Sequence, residues 1–380
     1  MPNLEENAAA TARKDHASRR PRPVLMIPLR RCGSHALRLR LNFHPRFYSP
    51  YPLHIVDFLP LLPLYGDLSD DRNYYQLVVD VIGLQAINIV KWPAVTFDPS
   101  EIFDAIRDEP RSVHRIVWEL LLRAGERHDA RVVMDKSLDS VHAADELMTL
   151  LPDLLFLNVV RDPRAQVASM NRAIIHEFEP TLNAIIWIEA HHAARALAAR
   201  HPDRVLTVRY EDFLVDQEYT LKRICAFMGL EFLPEMLAIE RSGEARQLAG
   251  MSDLWVSNAS QPILSNKDKF TQHLNGAQIE MIETLAKEHM RYYGYEFMTA
   301  AAAPLPDAAA LEACALVSMH EREAAWARLA QTNFRDHAQR RLRADYLAGL
   351  AASFDQRRRP RGWASGAAAG ASEAASIAAM

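Results

Sequence analysis

The chain has 380 residues, of which 49% are hydrophobic, and this is enough apolar material for the core of one large or two ordinary domains. A formal net charge of -4 argues against a nucleic-acid-binding protein, so the expected partners are small molecules. Three scattered cysteines predict neither a disulfide framework nor a zinc site. Because no apolar run is long enough to span a membrane and the N-terminus lacks an apolar signal segment, we expect a cytoplasmic protein.

A predicted anion site lies between the first strand and the first helix. Residues 1–21 are polar and predicted to form a flexible N-terminus, residues 24–27 form a buried strand, and a helical leucine pattern begins at Leu37. The connecting loop contains Arg30, Arg31, Cys32, Gly33, Ser34 and His35. Gly33 permits a tight bend, Ser34 is expected to cap the helix, and the arginines add positive charge at the helix N-terminus.

The loop differs from a Walker A motif, GxxxxGK[ST]. Ser34 and His35 follow Gly33, so the phosphate-binding lysine of that motif is missing. From the loop alone, an ordinary strand-to-helix turn with two solvated arginines is the alternative interpretation.

Residues 46–71 mix prolines with aromatic residues and leucines, which predicts a packed loop or short helices lining a pocket. His54 and Asp57 are polar residues within this apolar stretch. A buried polar side chain needs either a partner or a task, so each has a structural interpretation beside a catalytic one.

The rest of the chain alternates helical patterns with strands. Further strands are predicted at residues 131–134, 154–160 and 205–208, and two helices at 99–127. Residues 74–92 have apolar positions at both helical and strand spacing, so their state stays open, with a helix favoured. Lys136 and Arg161 follow two of these strands, at the sheet edge where open α/β sheets bind ligands. The planar guanidinium of Arg161 and the hydroxyl of Ser169 on the next helix can together bind a phosphate.

Three runs resemble motifs of the family of sulfotransferases that use 3′-phosphoadenosine 5′-phosphosulfate (PAPS). They are RRCGSH at 30–35, LLFLNVVRDPRAQVASM at 154–170 and RVLTVRYEDFLVDQEYTLKRICAFMGL at 204–230. The resemblance implies a three-layer α/β/α fold with a central parallel sheet, similar to that of P-loop nucleotide kinases. It implies a sulfotransferase domain over residues 22–298, followed by an alanine-rich helical extension and flexible tail over 299–380.

The resemblance also implies a set of site residues, with PAPS as co-substrate and no metal. Those implied to bind PAPS are Arg30, Arg31, Cys32, Gly33, Ser34, His35, Arg161, Ser169, Lys269 and Phe270. Lys136, in the run Asp-Lys-Ser, is similar to a lysine that some members place near the sulfuryl group. Together with Arg31 it is expected to stabilise charge on that group during transfer.

The catalytic base is left open between two residues. Members with a comparable loop often carry a glutamate shortly after the proline that ends the first helix, and residues 46–57 contain none. His54 and Asp57 are the substitutes in that segment, and the sequence does not choose between them.

The resulting hypothesis is in-line transfer of a sulfuryl group from PAPS to a hydroxyl of a small-molecule, lipid or carbohydrate acceptor. One alternative is a P-loop-type kinase of a small metabolite, which the missing Walker lysine disfavours. Another is a catalytically inactive nucleotide-binding or scaffold protein. The C-terminal extension is expected either to pack on the domain or to form a homo-oligomer contact.

Overall fold

A parallel sheet forms the centre of the part of the chain that the computed structural model describes, residues 20–262 and 264–358. Most of the predicted N-terminal segment and the predicted tail beyond residue 358 lie outside the described residues. The strands are β1 (Arg22–Ile27), β2 (Phe47–Tyr48), β3 (Val132–Asp135), β4 (Leu155–Val160) and β5 (Val205–Arg209). Their spatial order is β2-β3-β1-β4-β5, and all neighbours are parallel. The predicted α/β class is therefore confirmed.

The described helices connect and follow these strands. The α-helices are α1 (Ser34–Leu41), α2 (Asp71–Ala86), α3 (Pro99–Ile106), α4 (Val113–Arg127), α5 (Ala144–Leu150), α6 (Pro163–Met170), α7 (Pro180–Arg200), α8 (Tyr210–Val215), α9 (Gln217–Met228), α10 (Gly243–Ala249), α11 (Gly276–Leu285), α12 (Lys287–Tyr293), α13 (Ala308–Thr332) and α14 (Phe334–Arg358). Short 3₁₀ helices cover Ile55–Tyr65, Leu138–Ala143, Pro234–Leu237, Ile239–Arg241, Asp253–Ala259 and Leu264–Gln272. The predicted helices before β3 and the predicted helical C-terminal extension are confirmed.

Four of the strands were predicted, and β2 was not. It has only two residues, which are too few for a repeating pattern, and it begins two residues after Pro45. Its pairing with β3, Phe47 opposite Val132, makes it an edge strand.

Strand side chains alternate between two faces of the sheet, and helices cover both. Val24 and Met26 of β1 pack with Leu37 of α1 in one buried cluster, which also contains residues of α9. Val160 of β4 belongs to a second cluster with Trp187 of α7. The helices thus cover the sheet on both sides, as the three-layer prediction requires.

The chain forms two compact units. The sheet unit contains residues 20–52 and 121–328, and the second unit contains residues 53–120 and 329–358. The predicted domain boundaries at residues 22, 298 and 299 stay a prediction. The described part of the extension contributes α14 to the second unit. Each unit is described by itself below.

Candidate active site

The loop between β1 and α1 has the backbone conformation of a tight ligand-binding turn. Arg31 and Gly33 both adopt positive φ angles, 71° and 91°. Gly33, not Ser34, is the N-cap of α1, so the expected capping role of Ser34 is wrong. The left-handed conformation of Gly33 ends the loop one residue earlier, and Ser34 is the first residue of the helix. The N–H groups of this first turn remain directed toward the loop side.

Arg31, Arg161 and Ser169 meet at this loop, although at least 130 residues separate Arg31 from the other two in the chain. Arg31 Nε donates a hydrogen bond to Ser169 Oγ (3.0 Å), and Arg161 Nη1 donates one to the Arg31 carbonyl (2.9 Å). The structure therefore brings together the loop arginine and the two residues predicted to bind a phosphate.

Tyr210 completes this group and was not among the predicted site residues. Its ring lies 5.2 Å from the Arg161 guanidinium, in a cation–π contact. A Cβ added to Gly33 would overlap the same ring and come within 3.0 Å of its Cγ. Position 33 therefore needs glycine because of close packing as well as its positive φ.

Lys136 lies at the carboxyl end of β3, the neighbour of β1, and is buried. Burial lowers its pKa to about 7, and the nearby charges of Arg38 and Arg30 add to this effect. The residue before it, Asp135, accepts hydrogen bonds from the Ser137 N–H (3.0 Å) and hydroxyl (2.9 Å). These bonds hold the Asp-Lys-Ser turn at the strand end.

Arg30 and Cys32 have roles of a different kind. Arg30 Nε forms an ion pair with Asp139 Oδ2 (2.6 Å), and its carbonyl accepts a hydrogen bond from Gln166 (2.8 Å). Burial raises the pKa of the Cys32 thiol to about 11, so this residue is a neutral core thiol near neutral pH.

His35 packs against two aromatic residues that the sequence did not single out. Its ring centroid lies 5.8 Å from that of Tyr51 and 6.2 Å from that of Trp255. Burial lowers its pKa well below the usual value, and the positive charges of Lys136, Arg38 and Arg31 lower it further. His35 is therefore a neutral residue in the first turn of α1.

His176 is a second histidine near the loop that sequence reasoning missed. It follows α6, the helix that carries Ser169, and its Nε2 is buried without a hydrogen-bond partner among the described residues. Burial and the charges of Arg30 and Arg31 lower its pKa well below the usual value. It belongs to no motif, so the sequence carried no signal for it.

Lys269 and Phe270 have different surroundings from one another. Lys269 is exposed. Phe270 is buried in a cluster with Ala165 and Val167, and the Arg164 guanidinium lies 5.0 Å from its ring. Their predicted contact with a nucleotide stays a prediction.

The two base candidates lie in the second unit. His54 adopts a left-handed conformation (φ 51°) and precedes the 3₁₀ helix Ile55–Tyr65. Asp57, in the first turn of that helix, forms an ion pair with Arg343 Nη2 of α14 (3.1 Å). The Asp57 carboxylate is thus already paired with the guanidinium of Arg343.

Two kinds of feature are missing from the described part of the chain. Residues 20–262 and 264–358 contain no group of three or more histidine, cysteine, aspartate or glutamate side chains arranged to hold a metal ion. Within the same ranges, no helix has the length and apolar character needed to cross a membrane.

Residues 23–234 match the model of a family described as "Sulfotransferase family", which is more than half of the 380 residues. Among curated proteins, none matches the sequence significantly.

Solved structures with a similar chain include three sulfotransferases. The sulfotransferase domain of the Synechococcus PCC 7002 olefin synthase is 23% identical, with 70% of this chain and 96% of that chain covered and a TM-score of 0.49. The sulfotransferase domain from the curacin biosynthetic pathway is 17% identical (73% and 99% covered, TM-score 0.45), and STF9 from Mycobacterium avium is 16% identical (76% and 82% covered, TM-score 0.36). Because these similarities are weak, the family assignment rests on the match of residues 23–234.

Proposed function

Because the chain belongs to the sulfotransferase family, we propose that it transfers the sulfuryl group of PAPS to a hydroxyl group of an acceptor molecule. The observation that carries this proposal is the meeting of Arg31, Arg161 and Ser169 at the β1–α1 loop. Two arginines, a hydroxyl and a helix N-terminus form a site for an anion with more than one phosphate or sulfate group.

The donor would be held at two places. Arg161 and Ser169 would bind its 3′-phosphate, which does not react, and the loop from Arg31 to His35 would bind the phosphosulfate end. Lys136 at the end of β3 lies among Arg30 and Arg38, so a bound anion would favour its charged form. In the absence of a donor, burial and those two arginines favour the neutral form.

Transfer needs alignment and charge stabilisation more than covalent chemistry from the protein. The acceptor oxygen would attack the sulfur atom while the bond from sulfur to the bridging oxygen breaks. Arg31 and Lys136 would stabilise the charge that develops on the leaving oxygen, and a base would take the hydroxyl proton. The products are a sulfate ester and 3′,5′-adenosine bisphosphate.

We assign the base to His54 in preference to Asp57. A neutral imidazole accepts a proton near neutral pH without a special environment. The Asp57 carboxylate is occupied by its ion pair with Arg343, which favours a structural role for it.

The acceptor is proposed as a small molecule, a lipid or a carbohydrate. Tyrosines, leucines and prolines dominate residues 47–65, which supports an acceptor with an apolar part. The cysteines Cys32, Cys225 and Cys314 form no disulfide bonds, which supports a reducing compartment such as the cytoplasm.

Ligand-dependent unfolding tests the donor assignment. At a hundredfold excess over its dissociation constant, 3′,5′-adenosine bisphosphate should stabilise the fold by about 2.7 kcal/mol. Radiolabelled PAPS with a panel of alcohols then identifies the acceptor. Stabilisation by ATP with Mg²⁺, and none by the bisphosphate, would instead favour a kinase.

Variants separate the two parts of the donor site. Arg161→Ala and Ser169→Ala should mainly raise KM for PAPS, because they remove contacts to a group that does not react. Arg31→Ala and Lys136→Ala should mainly lower kcat, by about a hundredfold or more. Arg291→Ala on α12, which removes an exposed arginine paired with Glu288, is the matched control.

A further inference from the structure

Arg343 of α14 contacts the segment that carries both base candidates, although the sequence assigned no chemistry to this helix. Its Nη2 donates hydrogen bonds to the carbonyls of Leu53 (2.8 Å) and His54 (3.0 Å). Asp57 Oδ2 accepts from the same Nη2 (3.1 Å) and from Nε (3.3 Å). One largely buried guanidinium thus bonds to three residues around the turn that begins at Leu53.

This turn includes a backbone conformation that is unfavourable for residues with a Cβ atom. His54 has φ 51° and ψ 56°, in the left-handed region. Such a conformation persists where surrounding contacts determine it. The His54 carbonyl accepts hydrogen bonds from the Asp57 N–H (3.1 Å) and from Arg343. Both bonds hold the His54 carbonyl in the direction that the left-handed conformation gives it.

We propose that Arg343 is a positioning residue for His54, holding the turn in the conformation from which His54 acts as the base. The inference rests on the proposed function, since it takes His54 as the base. Asp57 then has a defined task, because its carboxylate orients the guanidinium that bonds to the carbonyls of Leu53 and His54. The C-terminal extension contributes this residue to catalysis through another residue and without touching substrate.

The geometry requires arginine in place of lysine. The two carbonyls and the Asp57 carboxylate all meet Nη2, and Nε donates to the same carboxylate oxygen, so two nitrogens of one rigid plane fix the orientation of the guanidinium. A lysine ammonium has one nitrogen and no second donor to fix its orientation against Asp57. Arg343→Lys keeps the charge beside Asp57 but cannot reproduce this arrangement. It should therefore resemble Arg343→Ala in activity and fold more readily.

The test measures turnover and donor affinity in full-length protein. Arg343→Ala and Arg343→Lys should each lower kcat by about tenfold to a hundredfold, as expected for a displaced catalytic group. KM for PAPS and the affinity for 3′,5′-adenosine bisphosphate should stay unchanged. Arg341→Ala is the matched control, because Arg341 lies on the same helix and pairs only with Asp345 in the described contacts; it should have wild-type kcat.

Two further measurements distinguish the inference from the base assignment. Hydrogen exchange of the Asp57 amide should accelerate in both Arg343 variants, and in a His54→Ala background Arg343→Ala should lower kcat no further. If His54→Ala is inactive and Arg343→Ala has wild-type kcat, the positioning role is overturned while the base stands. If His54→Ala is fully active, the base assignment fails, and the positioning role fails with it.

Discussion

Lys136 is a buried amine whose neighbours include two arginines, and this makes its charge sensitive to an anionic ligand. Burial and the charges of Arg38 and Arg30 hold its pKa at about 7. A bound phosphate would raise that pKa, because an opposite charge favours the ammonium form. Binding would then take up a proton at any pH between the two pKa values.

We therefore predict that the affinity for 3′,5′-adenosine bisphosphate falls as the pH rises above 7, by up to about tenfold per pH unit. His35 and Cys32 do not titrate in this range, since the pKa of His35 is well below 6.5 and that of Cys32 is about 11. Calorimetric titration between pH 7 and about 9 measures the slope. Lys136→Met should bind with a flat profile, and Lys222→Met, at an exposed lysine of α9, should keep the wild-type slope. A wild-type slope in Lys136→Met would remove Lys136 from the donor site.

The sequence predicted those residues of the candidate site that lie within a short motif. Arg31, Arg161 and Ser169 lie in motifs next to strand ends, and a parallel sheet brings the carboxyl ends of its strands to one edge. Tyr51, Trp255 and His176 reach the loop only through tertiary packing, and no local pattern distinguishes them from core residues.

At the scale of elements, α13 binds the segment that follows α6. Ser318 Oγ accepts a hydrogen bond from the Phe178 N–H (2.9 Å) and donates one to Glu177 Oε2. Arg322 Nη2 bonds to the other oxygen of Glu177 (2.7 Å). Ser318 is 1% exposed, whereas the neighbouring Val317 is 52% exposed, so Ser318 is a buried polar residue in an otherwise exposed turn.

Ser318→Ala should destabilise the protein by about 1–3 kcal/mol, because it leaves the Phe178 N–H and a Glu177 oxygen without this partner. Val317→Ala is the matched control, since it also introduces alanine into the same helical turn but removes only an exposed side chain. Denaturant unfolding gives the free energies, and hydrogen exchange of residues 176–178 should accelerate in Ser318→Ala alone. Equal unfolding free energies for the two variants would contradict this role of α13.

Helices and strands could be predicted when their repeating pattern of apolar residues was long enough to recognise. α13 and α14 have 25 residues each, and helical spacing predicted a helical extension there. The same spacing did not predict that Ser318 is buried, because a lone serine between Val317 and Met319 has the same local signal whether it faces solvent or protein. β2, with two residues, gave no pattern at all.

At the scale of the whole molecule, the second unit joins segments that are far apart in the sequence. Tyr346 of α14 donates a hydrogen bond to the Asp80 carbonyl of α2 (2.8 Å), across 266 residues, and Phe354 packs on Tyr65 with ring centroids 4.7 Å apart. Composition predicted a boundary near residue 299, where alanine becomes frequent. It carried no information on which segment α14 packs against, because periodicity describes one helix face and not its partner.

Gly83 tests how this second unit is held together. It lies within α2, where alanine ordinarily stabilises a helix by up to about 1 kcal/mol. A Cβ at this position would overlap the Tyr346 hydroxyl oxygen and lie 3.0 Å from Cζ, so this hydroxyl must shift away from the Asp80 carbonyl to which it donates a hydrogen bond. We predict that overpacking outweighs helix propensity, and that Gly83→Ala lowers the unfolding free energy by about 1–3 kcal/mol.

Gly349→Ala on α14 is the control. A Cβ at position 349 would meet nothing within 4 Å, so this substitution should stabilise the protein. Hydrogen exchange should accelerate in α14 of Gly83→Ala. The affinity for 3′,5′-adenosine bisphosphate, which we propose to bind to residues of the sheet unit, should stay at the wild-type value. Stabilisation by both substitutions would mean that Tyr346 does not pack closely on α2.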